Sequence, residues 1–245
     1  MDSLIMCGGY AKRLEPITEF IPKPLLFVDG APLIDHIINK VDNLGISNKV
    51  ISTNLKFEKQ FLYWMRQKEN RNLKLVVEPT LDHSEKYGAV KGISYAISNA
   101  KINNDLLIVA GDNYFDFELT EMKNKFDKIQ KPLIALYNVK DVDHAKMFGV
   151  VEADDNYKIV GFEEKPDKPK TTLISTGIYM LPSSTLPEFE NFLNEIRSSD
   201  LNDAIGEFIK WLLKKEEVYG YLYKDGLWED IGTITSYRSI FYKFL

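Results

Sequence analysis

Short apolar runs alternate with amphipathic stretches through the first half of the chain. Leu4 to Cys7 is continuously apolar and too short for a helix, which predicts a buried strand delivering the chain into Gly8-Gly9. Leu33, Ile34, Ile37, Ile38, Val41 and Leu44 recur at helical spacing before a stop at Gly45, and they predict an amphipathic helix. Lys49 to Ser52 then reads as strand, Glu58 to Gln67 as helix, Leu73 to Val77 as strand and Ala89 to Ala100 as helix. A further apolar strand, Leu106 to Ala110, runs into Gly111-Asp112-Asn113. Strands alternating with helices imply right-handed crossovers, hence an α/β fold: a single-domain, Rossmann-like, mostly parallel sheet flanked by helices. Ligands of such sheets gather beyond the C-terminal strand ends, and the segments after Cys7 and Ala110 lie at that edge.

The second half changes rhythm. Gly149 to Glu152 and Ile159 to Phe162 flank the turn cluster Asp154-Asp155-Asn156 and predict a hairpin. Ser175 to Leu181 and Val218 to Tyr223 read as strands, Leu201 to Leu213 as a helix, and Thr233 as the N-cap of a closing helix reaching Phe244. Trp64 and Tyr63 sit in an apolar helical stretch and are expected in the core. This half is expected to add a smaller sheet and helices that complete a pocket. No repeat or Pro/Ser-rich linker divides the chain, so residues 1–245 are expected to form one domain.

Composition narrows the chemistry. With 245 residues, 44% of them apolar, the chain can bury a large core, while its net charge of −5 supplies no field to attract nucleic acid or an anionic membrane. Any phosphate site must therefore come from a local cation cluster. Cys7 is the only cysteine, which excludes an internal disulfide and a cysteine-built zinc site and fits a reducing compartment. No secretion-type leader or bilayer-length apolar run is present, so a cytoplasmic location is expected. His36, His83 and His144 are scattered and suggest no metal set or triad.

Two glycines directly after a strand let the backbone approach a phosphate chain with its amides, and Arg13 and Lys23 add neutralising charge. Asp112, at a strand end, is placed to hold Mg²⁺ through oxygen. Each signal has a plainer reading when taken alone: a tight turn, a solvated charge or a helix cap.

Together, in order, they resemble a known family. Gly8-Gly9-Tyr10-Ala11-Lys12-Arg13-Leu14 with Pro22-Lys23-Pro24-Leu25, then Gly111-Asp112-Asn113, Phe162-Glu163-Glu164-Lys165-Pro166 and Trp228-Glu229-Asp230-Ile231-Gly232-Thr233, are similar to the signatures of sugar-1-phosphate nucleotidyltransferases, such as glucose-1-phosphate thymidylyltransferase and uridylyltransferase. The resemblance implies that Gly8, Gly9 and Arg13 bind the triphosphate, Lys23 the phosphates near the reacting centre, and Asp112 with Asp230 one Mg²⁺. It implies that Glu164 binds sugar hydroxyls, Lys165 the sugar phosphate, and Gly149 and Thr176 the sugar, with Glu78 and Gly88 beside the nucleobase. Residues 1–130 would form the nucleotide half and 131–245 the sugar-phosphate half.

The substrates implied are a nucleoside triphosphate and a sugar 1-phosphate, such as glucose 1-phosphate with dTTP or UTP, and the chain is compatible with a homo-oligomer. Ala11 departs from the family's glycine, and a Cβ there resists positive φ, so the loop is expected to close differently. Glu78 stands where glutamine is usual; a carboxylate only accepts hydrogen bonds, which suits the paired donors of guanine. A GTP- or CTP-using enzyme acting on a sugar or alditol phosphate therefore stays open, as does a non-catalytic sensor of nucleotide sugars. A dinucleotide-binding dehydrogenase fits poorly, because the third glycine of its fingerprint is missing.

Overall fold

A computed structural model describes residues 1–68, 71–196 and 204–243. The chain opens with β1 (Asp2–Met6), the short pair β2 (Phe27–Val28) and β3 (Ala31–Pro32), then α1 (Leu33–Asn43), β4 (Lys49–Asn54), α2 (Glu58–Arg66), β5 (Leu73–Glu78), α3 (Ala89–Ala100) and β6 (Leu106–Ala110). β7 (Asn113–Phe115), α4 (Thr120–Ile129), β8 (Leu133–Asn138) and α5 (Val142–Ala145) follow. The remainder comprises β9 (Gly149–Ala153), β10 (Ile159–Glu164), β11 (Leu173–Leu181), α6 (Glu188–Ile196), α7 (Ile205–Leu212), β12 (Tyr219–Tyr223), β13 (Trp228–Asp230) and α8 (Ile234–Lys243). The predicted start at Leu201 of the helix ending at Leu213, and the predicted end of the closing helix at Phe244, lie outside the described residues.

The parallel strands stand in the order β5-β4-β1-β6, and β11 pairs antiparallel to β6. Leu4 and Ile5 are fully buried although they face opposite sides of β1, which is why that strand reads as an unbroken apolar run. One face packs on Ile34, Ile37 and Ile38 of α1, Phe61 of α2 and Phe126 of α4. The other packs on Val90 and Ile93 of α3, Phe192 of α6 and Phe208 of α7. Each such side chain contributes about 1.5–3 kcal/mol by leaving water. α1 ends where predicted: Gly45 adopts φ +70, and its amide closes the last turn on the Asp42 carbonyl at 2.9 Å. Trp64 is buried as expected, but Tyr63 is exposed, because one helical step turns it off the face shared by Phe61 and Trp64.

The predicted hairpin forms as β9 and β10, and it joins the main sheet through Ile174 of β11 opposite Val150. The strands of the second half, β8 to β12, join the main sheet instead of forming a smaller one, and a separate antiparallel pair, β7 and β13, aligns Asn113 with Asp230 and Phe115 with Trp228. This short pair brings the carboxylates of the two halves side by side.

Candidate active site

The glycine loop leaves β1 at the carboxyl edge of the sheet. Its path is fixed by the Cys7 amide donating to the Ser52 carbonyl at 2.7 Å and by Asn54 Nδ2 donating to the Gly8 carbonyl at 3.0 Å. Ala11 sits at φ 47, ψ 41, the left-handed conformation a glycine would take. The expectation that the loop would close differently is thus overturned at this residue. A Cβ in that region costs roughly 1–2 kcal/mol, and the Ala11 carbonyl is held by Thr18 Oγ1 at 2.8 Å and the Leu14 amide at 2.9 Å.

Gly111 permits β6 to end against the start of this loop. A Cβ at Gly111 would stand 2.6 Å from Cys7 Sγ and 2.8 Å from the Met6 carbonyl oxygen, where no side chain fits. Burial, and secondarily the Asp112 charge, push the Cys7 thiol well above its ordinary pKa, so it stays a neutral packing group.

Lys23 lies on a short helical turn, Lys23–Leu25, between Pro22 and Pro24. Its side chain is only 6% exposed, and its ammonium donates to Asp112 Oδ2 at 3.0 Å and to Asp230 Oδ1 at 3.1 Å. Arg13 borders the same cluster, with Nη2 at 3.6 Å from where a Cβ on Gly232 would stand. Arg13, Lys23, Asp112 and Asp230 therefore meet at one place.

The peptide carbonyl of Thr176 braces this cluster. Asn113 Nδ2 donates to it at 2.9 Å and Trp228 Nε1 at 3.3 Å, tying β7 and β13 to the bulge of β11. Gly177 makes the bulge, at φ +79, and a Cβ there would lie 2.8 Å from the Ala110 Cβ and 3.1 Å from Asn113 Nδ2. The Thr176 hydroxyl points the other way, donating to the Ala135 carbonyl at 3.0 Å. Thr176 thus enters the cluster through its backbone.

A second cluster holds Glu164, Gly149 and Lys165. The Glu164 carboxylate packs against Gly206 at the start of α7, and a Cβ on Gly149 would come 3.3 Å from its Oε2. Gly206 had no sequence signal, because a glycine near a helix start reads as neutral. Burial raises the Glu164 pKa; Lys165 opposes this and Glu207 adds to it. Lys165 takes φ 48, its amide bonds the Phe148 carbonyl at 3.0 Å, and its exposed ammonium stands 3.9 Å from Glu164 Oε1. The clusters touch through the edge-to-face contact of Phe148 with Trp228, ring centres 5.1 Å apart.

Glu78 is buried beneath the glycine loop. Its Oε1 accepts from Ser52 Oγ at 3.2 Å and would lie 3.0 Å from a Cβ on Gly8 and 2.9 Å from one on Gly92. Gly88 caps the N-terminus of α3, a turn before Gly92. Tyr10, which no sequence pattern singles out, latches the glycine loop to the next strand end by donating its hydroxyl to Thr80 Oγ1 at 3.0 Å.

The donor set suits Mg²⁺. Mg²⁺ takes one or two protein carboxylates and fills its other positions with water and substrate phosphate. Asp112 and Asp230 are such a pair, and an ammonium already stands between them as a cation. Among the described residues no group of three or more His, Cys, Asp or Glu side chains forms an all-protein cage.

The glycine loop after β1 and Asp112 after β6 thus lie together at the carboxyl ends of the strands of an α/β sheet. The sequence profile described as "Nucleotidyl transferase" matches residues 2–245, and the chain belongs to that family. It is 35% identical over 235 residues to the "Bifunctional protein GlmU" of Methanococcus aeolicus, covering 95% of this chain and 51% of that protein. The chain thus spans about half the length of this relative. It is 29% identical over 203 residues to the D-glycero-alpha-D-manno-heptose 1-phosphate guanylyltransferase of Campylobacter jejuni, covering 80% and 86%. A crystal structure from Bacillus anthracis, described as a "Putative Glucose-1-Phosphate Thymidylyltransferase", superposes with TM-score 0.85 at 24% identity, covering 100% of this chain and 95% of that one, and shows the same fold. Among the described residues no helix is long and apolar enough to cross a membrane.

Proposed function

We propose that the protein transfers a nucleotidyl group from a nucleoside triphosphate to a sugar 1-phosphate, releasing pyrophosphate and forming a nucleotide sugar. The observation that carries this reading is the convergence of Lys23, Asp112 and Asp230 beside the glycine loop. Asp112 and Asp230 would hold Mg²⁺, which when bound supplies charge neutralisation to the triphosphate. The amides of Gly8 and Gly9 and the Arg13 guanidinium bind and orient the phosphates, and Lys23 offsets charge near the reacting phosphorus.

Lys165 orients the attacking sugar phosphate, whose oxygen displaces pyrophosphate in line. That phosphate is already anionic at neutral pH, so no side chain must remove a proton. Glu164 and Gly149 seat the sugar, and Thr176 supports the site through its carbonyl. Residues 1–130 form the nucleotide half and 131–245 the acceptor half of one domain.

The substrates proposed are a hexose 1-phosphate such as glucose 1-phosphate with dTTP or UTP. A second reading, a guanylyltransferase, is favoured by Glu78 in place of glutamine and by the name of the Campylobacter relative.

The test is pyrophosphate release with Mg²⁺, crossing dTTP, UTP, GTP, CTP and ATP against hexose and heptose 1-phosphates. Activity with one pair, lost in Asp112→Asn while the fold persists, is expected. Silence with every pair, or full activity in Asp112→Asn, overturns the reading. Glu78→Gln decides the base: under the guanine reading it lowers GTP use relative to UTP.

A further inference from the structure

We propose that Lys23 is the resident cation of the Asp112–Asp230 pair, closing it to a free divalent ion until nucleotide phosphates draw the ammonium away. The inference rests on the metal assignment above and adds an order of events: the ion enters with the nucleotide, and the empty site stays plugged.

The ammonium donates to one oxygen of each carboxylate, at 3.0 and 3.1 Å, between the two groups that would ligate the ion. Two cations cannot share that seat, because like charges a few ångströms apart in a half-buried site repel strongly. Lys23 cannot simply swing into solvent either. Its side chain is 6% exposed, and prolines on both sides hold its backbone. An ammonium on a flexible stem can, however, exchange one anionic partner for another. The incoming partner is close, since Arg13, which follows the glycine loop, borders Asp230 beside Gly232. A triphosphate placed there offers Lys23 more negative charge than the carboxylates do, and its oxygens can complete the coordination of an ion, which two carboxylates alone leave open.

The test is Mn²⁺ binding to the full chain, followed by the loss of the free-ion electron paramagnetic resonance signal beyond that caused by the nucleotide alone, with and without α,β-methylene UTP or GTP. Wild type is expected to bind Mn²⁺ weakly alone and at least tenfold tighter with nucleotide. Lys23→Met is expected to bind Mn²⁺ at least tenfold tighter than wild type without nucleotide, and to lose most of the nucleotide dependence. Lys23→Gln serves as a second variant should the methionine protein not fold.

Arg13→Met removes a nearby charge without unplugging the pair, so a change under threefold is expected. Equal tightening in Arg13→Met, or none in both Lys23 variants, overturns the plug while leaving the metal site standing. Mn²⁺ binding that survives Asp112→Asn in the Lys23→Met background overturns the metal assignment itself.

Discussion

Removing both side-chain donors from the Thr176 carbonyl, through Asn113→Ala and Trp228→Phe, is expected to cost more than the two changes made separately. Thr176 is fully buried and lies at the irregularity of β11, where the pairing with β8 shifts between Ser175 and Tyr179. Its carbonyl takes Asn113 Nδ2 at 2.9 Å and Trp228 Nε1 at 3.3 Å. Either single variant removes one net hydrogen bond, about 1 kcal/mol, and leaves the other donor in place. The double variant strips both from a buried acceptor, which adds a desolvation penalty of about 1–3 kcal/mol.

A double-mutant cycle by urea unfolding should therefore show a coupling of about 1–2 kcal/mol. Phenylalanine keeps a ring against Phe148 and Tyr137, so lost packing is not the main term. The same variants should raise the Mg²⁺ concentration needed for half-maximal activity, because Asn113 follows Asp112 directly and faces Asp230 across the ladder. Additivity within about 0.5 kcal/mol would refute the shared-acceptor account.

Glu164→Gln should stabilise the protein at neutral pH while weakening its hold on the sugar phosphate. Burial raises the Glu164 pKa in the folded state, so the folded chain binds this proton more tightly than the unfolded chain. The resulting destabilisation is absent below the unfolded carboxyl pKa of about 4.3 and present above the raised folded one. The gain in melting temperature should therefore shrink towards zero as pH falls through that window, and a gain that grows on acidification would count against the assignment. Ala11→Gly trades left-handed strain of roughly 1–2 kcal/mol against about 0.4–1 kcal/mol of added unfolded-state freedom. It should leave urea stability unchanged or slightly higher, and a loss above about 1 kcal/mol would mean that φ 47 is not strained here.

Much of the fold could be read from the chain because periodicity and punctuation agree. Ala89–Ala100 and Leu106–Ala110 fall where pattern places them, and the apolar rows of α1 and β1 face the sheet interior they imply. The glycine loop and Asp112 were visible because strand ends precede them, whereas Asp230 came only through the family resemblance. β7 and β13 were hidden, since three residues each carry no period and the two strands lie far apart in sequence. Gly206 was hidden for another reason: only the three-dimensional approach of α7 to β10 reveals that its missing side chain makes room for Glu164. Ala11 misled through residue type, because local hydrogen bonds impose a conformation that its Cβ disfavours.

The ion-paired charges at the centre of the cluster come from distant parts of the chain, with Lys23 lying 89 positions before Asp112 and 207 before Asp230. The ribosome delivers the N-terminal end first, so the glycine loop and the parallel strands can form while the last carboxylate is still unmade. Until residue 230 has emerged and its strand has docked on β7, a nascent chain carries the glycine loop and Lys23 with only one of the two carboxylates that Lys23 pairs with. Under the proposed function, the acidic pair is therefore completed by one pairing event between two three-residue strands.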